Sequence, residues 1–291
     1  MFEGVYTAMI TPFNEDESLD EGALRALVDF QIEQGIAGLV PVGTTGESPT
    51  VDHEENIEVV RIVVDQAKGR VPVIAGTGSN STREAVDMTV RARDVGATAT
   101  LQVAPYYNKP NQEGFYRHFT TVADKGELPV LVYNIPGRTG KNIENETMLR
   151  MAQHPKIVGV KEASGSMPQV MGLAAGKPDD FVILAGDDNL ALLIMALGGA
   201  GVVSVASNKF PAEMQAFARK AIQGDLTGAR ADHYRMLPFF KALFADTNPI
   251  PIKYAMARTG HCREVYRLPL VAPADDVKKT VDDALRSLGA L

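Results

Sequence analysis

What most limits the fold of this chain is a set of eight short, largely apolar runs that lack a clean apolar/polar alternation. They occupy residues 5–10, 38–42, 71–75, 99–103, 130–133, 157–160, 181–185 and 201–205 and are rich in Val, Ile, Ala and Leu. A strand with one wet face alternates, whereas a run that does not is a strand covered on both faces, as in a parallel sheet between helical layers. Most intervals between the runs carry helical spacing instead. Leu24, Leu27, Val28 and Ile32 fall on one face, as do Ile57, Val60 and Val64, and then Ala85, Met88, Ala92 and Val95. Ser18 with Glu21, Asp52 with Glu55, and Ser81 with Glu84 stand at the spacing of helix N-terminal capping pairs.

Eight strand-helix repeats in the first two thirds of the 291 residues predict an α/β fold closed on itself, a (β/α)8 TIM barrel. An open doubly wound sheet has fewer strands and a visible nucleotide fingerprint, and Gly76-Thr77-Gly78-Ser79-Asn80-Ser81 lacks the third glycine of that fingerprint. After residue 205 the strand pattern stops, and 211–224, 226–244, 252–259 and 274–288 read as helices. The expected division is a catalytic barrel over 1–224 and a C-terminal α-helical appendage over 225–291.

Composition serves mainly to exclude. A net charge of −7 with scattered Lys and Arg gives no footprint for nucleic acid. The start has no basic stretch leading into an apolar one, and no run of about 18 apolar residues occurs, so no membrane partner is expected and the expected location is cytoplasmic. Cys262 is the only cysteine, which excludes intramolecular disulfides and cysteine zinc clusters and leaves a packed, idle thiol. The histidines at 53, 118, 154, 233 and 261 show no ligand spacing, so no built-in metal is expected.

In a barrel of this kind the reactive side chains sit at the C-terminal ends of the strands and on the loops that follow. Gly43-Thr44-Thr45-Gly46-Glu47-Ser48 follows the second run, Pro105-Tyr106-Tyr107-Asn108 the fourth, and Tyr133-Asn134-Ile135-Pro136-Gly137-Arg138-Thr139-Gly140 closes the fifth. The sixth ends on Lys161-Glu162-Ala163-Ser164-Gly165, and the seventh leads into Gly186-Asp187-Asp188. Hydroxyl, phenol, amine and guanidinium groups thus converge on one mouth. Taken singly, each has a plainer reading. Lys161 would be a solvated lysine capping an apolar strand, the tyrosines rim packing, Thr44 and Thr45 a hydroxyl-to-backbone turn, Arg138 a loop cation, and the Asp187/Asp188 pair a helix N-cap.

These segments in this order, with Asn248-Pro249-Ile250-Pro251-Ile252-Lys253, resemble the dihydrodipicolinate synthase and N-acetylneuraminate lyase family of class I aldolase barrels, from about Gly4 to Gly260. They look like its synthase branch. The resemblance implies that Lys161 forms a Schiff base with pyruvate, which is then condensed with L-aspartate 4-semialdehyde in the lysine and diaminopimelate pathway. It makes Tyr133 the acid/base, with Thr44 relaying protons to Tyr107, a residue supplied by the neighbouring subunit of a tight dimer; the implied assembly is a homotetramer of such dimers. Thr45 and the amides of its turn would cradle the pyruvate carboxylate, Arg138 would grip the aldehyde substrate's carboxylate, and the carbonyls of Gly186 and Val203 would line the pocket. No cofactor is implied, because the protonated imine is itself the electron sink.

The lysine role has a physical requirement. An amine near its ordinary pKa is almost wholly protonated at neutral pH, so a nucleophilic Lys161 needs about 4 kcal/mol of ammonium destabilisation from its surroundings. Ser48, His53, Asn80, Glu84 and Tyr106 match a feedback site for L-lysine in inhibited members of the family. Asn56 stands where lysine-sensitive bacterial members carry histidine, which makes weak to moderate inhibition the expectation. Two rival readings share these residues. One is a retro-aldol enzyme of the same family, N-acetylneuraminate lyase or a sugar-acid aldolase, whose branch has Ser-Thr where this chain has Thr44-Thr45. The other is a catalytically silent pyruvate or lysine sensor.

Overall fold

Each of the eight expected runs is a strand in the computed structural model, which describes residues 2–291. Among these residues the strands are β1 (Gly4–Ala8), β2 (Gly38–Val40), β3 (Ile74–Gly76), β4 (Ala99–Val103), β5 (Val130–Asn134), β6 (Ile157–Glu162), β7 (Val182–Ala185) and β8 (Gly201–Ser204). All pair in parallel, in the order β2-β1-β8-β7-β6-β5-β4-β3. A parallel bridge between Leu39 and Val73 joins the two outer strands and closes the barrel.

The missing alternation has its reason in two separate cores. Tyr6, Val40, Ile74, Leu101, Leu131, Leu184 and Val203 fill the barrel lumen. Val5, Leu39, Val130, Val132, Ile183 and Val202 pack outward beneath the helices. Both faces of the strands are therefore buried, and the one-in-two period survives mainly as a choice between cores. In β4 the outward face is polar, its Thr100 and Gln102 forming a buried hydrogen-bonded cluster with Thr77 and Thr89.

The barrel helices are α1 (Glu21–Glu33), α2 (His53–Ala67), α3 (Thr82–Asp94), α4 (Gln112–Gly126), the single turn α5 (Pro136–Thr139), α6 (Asn145–Met151), α7 (Met167–Gly176), α8 (Ala191–Ala196) and α9 (Pro211–Ile222). They are followed by α10 (Leu226–Ala242), α11 (Ile250–Arg258) and α12 (Asp275–Ser287). Of these, α10 packs on α9 and α12, with Phe210 meeting Phe239 edge to face at 5.0 Å. None of the described helices is long and apolar enough to cross a membrane.

Two of the three expected capping pairs form. Asp52 and Glu55 make a reciprocal capping box at α2, and Ser81 accepts from Glu84 N at α3, although the Glu84 carboxylate turns to Ser79 Oγ at 2.8 Å. The third is corrected: Asp20, immediately before α1, accepts from Ala23 N at 3.0 Å, while the Ser18 hydroxyl donates to Asp16. An aspartate adjacent to the first turn reaches the free amides that a serine three residues before Glu21 cannot.

Candidate active site

The parallel register sets Lys161, near the end of β6, directly beside Tyr133 near the end of β5. Val160 goes to the outer core and Lys161 lies against the lumen residue Tyr133, its Nζ 4.1 Å from the ring centroid. Only 6% of Lys161 is exposed. Burial is the main force on the amine and lowers its pKa from 10.5 to about 8; Asp188 opposes this with its negative charge and Arg138 assists with its positive one. At pH 7 roughly a tenth of the amine is then neutral, against roughly one part in 3000 at its ordinary value. The desolvation that a nucleophilic lysine requires is thus supplied by the lumen itself.

Tyr133 responds to the same burial in the opposite sense. Desolvation pushes its phenol up to about 12, partly offset by the Arg138 guanidinium and the Thr44 hydroxyl. It is therefore a protonated donor at neutral pH. Tyr107 lies elsewhere: it has φ of 68° and is 90% exposed, and it does not line the cavity that Thr44 and Tyr133 share. Within one chain, then, the lysine, the first tyrosine and the threonine are brought together and the second tyrosine is not.

The turn after β2 is strained at both ends. Val42 and Glu47 have φ of 54° and 56°, left-handed values that a β-branched residue in particular avoids. Such a conformation persists where its surroundings over-determine it, and the holding contacts come from the far end of the chain. Asn248 Nδ2 donates to the buried Thr45 Oγ1 at 3.1 Å. Lys253 of α11 forms an ion pair with Glu47 in which neither side chain is exposed, and Arg267 N donates to the other Glu47 oxygen at 3.3 Å. The same Asn248 accepts at its backbone carbonyl from Arg138 Nη2 at 3.1 Å.

Gly186 borders the lysine. A Cβ on Gly186 would lie 3.1 Å from Lys161 Cγ and 2.7 Å from Ala163 Cβ, so only glycine fits the strand end there. Val203 of β8 belongs to the lumen core that includes Tyr133. Asp188 is not the cap of α8, whose N-cap is Leu190 without a side-chain bond; its Oδ2 accepts from Val205 N at 3.0 Å and Ala206 N at 2.9 Å instead. Held inside the protein, it titrates near 6, raised by burial against the help of Ser204 and those amides.

A cavity of about 750 Å³ adjoins this corner on its Thr44 and Tyr133 side, while Lys161, Thr45, Gly186 and Val203 do not line it. Thr44, Tyr133 and Arg138 line one part of it, and Ser48, His53, Glu84 and Tyr106 another. Asn80 supports that second part by donating to the Tyr106 carbonyl at 3.1 Å. Asn56 lines it too, donating to Gly76 O at 3.2 Å while its Oδ1 is buried without a partner among the described residues.

Three features escape a reading of the sequence. Glu162 is buried and accepts from Ser164 N at 2.7 Å and Asn134 Nδ2 at 3.2 Å, tying the strand ends that carry Lys161 and Tyr133. Asp188 sets a negative charge against the lysine. Asn248 and Lys253 stand in a recognisable motif whose function is visible only once the chain has folded back on itself.

Comparison with known proteins agrees with this geometry. The model of the dihydrodipicolinate synthetase family matches residues 1–288. A 4-hydroxy-tetrahydrodipicolinate synthase of Chlorobium phaeobacteroides (strain BS1) is 47% identical over 287 residues, covering 98% of this chain and 97% of that protein. Among solved structures, the chloride-inhibited dihydrodipicolinate synthase from Acinetobacter baumannii complexed with pyruvate is 40% identical with a TM-score of 0.98, each chain covered in full. A DHDPS from Cyanidioschyzon merolae with lysine bound is 39% identical with a TM-score of 0.97, covering 100% of this chain and 99% of that one.

Proposed function

Since the chain belongs to the dihydrodipicolinate synthetase family, we propose that Lys161 is its Schiff-base nucleophile and that the corner around it is the active site. The activity is that of a 4-hydroxy-tetrahydrodipicolinate synthase, a lyase-type enzyme that joins pyruvate to L-aspartate 4-semialdehyde. The observation that carries the site assignment is a buried amine, lowered to about 8, at 4.1 Å from a phenol held protonated.

The neutral Nζ attacks the pyruvate ketone, and the Tyr133 phenol donates the proton with which the carbinolamine hydroxyl leaves as water. The Tyr133 phenolate left by that step takes a methyl proton from the protonated imine to give the enamine, whose carbon attacks the aldehyde while Tyr133 passes that proton to the forming alkoxide. The substrate amine then adds to the imine carbon and expels Lys161, closing the ring. Thr44 returns protons to Tyr133 in a relay that reaches Tyr107 of a second copy, and the exposure of Tyr107 in the single chain supports that arrangement. The working assembly is accordingly a homo-oligomer, a tetramer of tight dimers. Thr45 and its turn take the pyruvate carboxylate, Arg138 takes the carboxylate of the second substrate, and the Gly186 and Val203 carbonyls border the pocket.

In this reading residues 1–224 form the catalytic barrel and 225–291 a helical region that braces its mouth, and the enzyme works in the cytoplasm. Ser48, His53, Asn80, Glu84 and Tyr106 form an L-lysine site, supported by the single cavity that four of them share with Thr44 and Tyr133. With Asn56 in that wall, inhibition is weak to moderate; calorimetric titration without heat at millimolar lysine removes this site. Borohydride reduction with pyruvate followed by peptide mapping is the central experiment, and it is expected to label Lys161. A label on any other lysine overturns the assignment. A coupled assay with pyruvate and the semialdehyde, run beside N-acetylneuraminate cleavage, separates the synthase from the lyase, and binding without turnover would identify a sensor.

A further inference from the structure

Asn248 touches both substrate subsites through different atoms. Its side-chain amide donates to Thr45 Oγ1, and its backbone carbonyl accepts from Arg138, each at 3.1 Å. A threonine hydroxyl has one proton and two lone pairs, so when it accepts a hydrogen bond its proton is free for another acceptor. We propose that Asn248 is a positioning residue for the pyruvate subsite, holding the Thr45 hydroxyl as an acceptor so that its O–H is given to the carboxylate of a 2-oxo acid. This rests on the assignment of Thr45 to that subsite.

The orientation of the amide has a physical ground. As placed, its Oδ1 is buried and has no partner among the described residues. Turned over, the oxygen would claim the Thr45 proton, and an NH2 group would be buried unpaired in its place. Unpaired buried N–H donors are the rarer and costlier fault. The residue type follows from the same argument. Aspartate has the same shape but offers only acceptors, so it would take the Thr45 proton and set a negative charge near the incoming carboxylate. The turn that carries Thr45 is strained at Val42 and Glu47 and braced by Lys253, which keeps the hydroxyl from finding another partner by moving.

Because the two contacts use different atoms, they separate by experiment. Replacing the Asn248 side chain leaves the carbonyl that holds Arg138. Steady-state kinetics of the full-length enzyme should therefore give a selective change. Asn248→Asp raises KM for pyruvate by about tenfold or more and Asn248→Ala by about three- to fivefold, on the scale of one buried hydrogen bond. KM for the semialdehyde stays within about twofold in both. In a Thr45→Val background the further effect of Asn248→Ala falls below about twofold, since the hydroxyl through which it acts is gone. Borohydride at saturating pyruvate still labels Lys161 in each variant. The proposal is overturned if both KM values rise together, if neither moves, or if the alanine effect persists in Thr45→Val. Failure of the wild-type enzyme to trap pyruvate on Lys161 would instead remove the site assignment and the proposal with it. Asn248→Asp, being isosteric, keeps the question open to measurement if Asn248→Ala does not fold.

Discussion

The two ends of the barrel are built on opposite principles. At the N-terminal end, Phe2 meets Tyr6 edge to face at 5.8 Å, and Gly38 is bare because a Cβ there would come within 2.4 Å of the Tyr6 ring. That end is closed by packing. At the C-terminal end, the apolar lumen gives way to a buried amine and a buried carboxylate, and the loops around that mouth hold the buried Glu47 and Lys253 ion pair and a turn with two left-handed residues. Every one of those features costs stability that a packed apolar layer would not. The packed end supplies free energy and the polar end consumes it, so damage at the packed end should cost stability without activity, whereas changes at the polar end should always reach activity.

The sharpest break comes at Lys161. With Lys161 as the proposed nucleophile, Lys161→Ala is expected to lower turnover by about 10³-fold or more, since the covalent intermediate would have no amine to form on. Lys161→Met should separate the two quantities further by abolishing activity while raising stability. The lysine's folded pKa lies below its unfolded one, so the unfolded state binds the extra proton and folding carries a penalty that is complete below about 8. The methionine variant should gain up to about 3 kcal/mol at pH 7, a gain that shrinks as pH rises from about 8 towards 10.5. Denaturant unfolding at pH 7 and pH 10 measures it; an advantage that grows with pH contradicts the account.

Next in size is the buried pair. Lys253→Met leaves the Glu47 carboxylate inside without its cation and is expected to cost about 3 to 5 kcal/mol, with activity falling as the strained turn relaxes. At the other end Phe2→Ala should cost about 3 kcal/mol by cavity formation and leave kcat/KM within about twofold. Thermal melts and kinetics of the two variants side by side test the division. If Phe2→Ala lost activity in proportion to stability, the ends would not be independent.

The strands of the barrel were legible in the sequence, whereas the contacts that finish its two ends were not. Runs without clean alternation predict two-sided burial because each residue's face is set by its immediate neighbours, which is why all eight strands overlap the runs, although β3 (Ile74–Gly76) begins three residues later than its run. Lys161 and Tyr133 have no such local cue. A lysine breaking an apolar run reads as a solvated cap, and only its flanking motif marks it out. The clamp is more remote still, since 203 residues separate Asn248 from Thr45 and 206 separate Lys253 from Glu47. Periodicity reports spacing along the chain and carries nothing about such pairings. Asp188 was misread for a related reason. Aspartate before a helix suits an N-cap, but the amides it satisfies belong to Val205 and Ala206, beyond the next strand.

That aspartate gives the smallest effect, and one that isolates electrostatics from shape. Its charge holds the Lys161 proton on, against the burial that drives it off. In Asp188→Asn the side-chain oxygen still accepts from Val205 and Ala206 while the charge goes. The new NH2 replaces an oxygen buried without a partner among the described residues, so the variant is expected to lose stability and is compared by its pH inflection. For the native enzyme kcat/KM for pyruvate should fall about tenfold per pH unit below an inflection near 8 and level off above it. Removing the negative charge makes the ammonium less favourable, so the inflection moves to lower pH, by about one unit or less for a single charge in a partly polar mouth. A larger neutral fraction at pH 7 then gives a variant that binds pyruvate covalently faster at that pH than the native enzyme does. An inflection that stayed in place would mean that the carboxyl is already protonated when the lysine reacts, and that burial and the Arg138 charge alone set the amine's pKa.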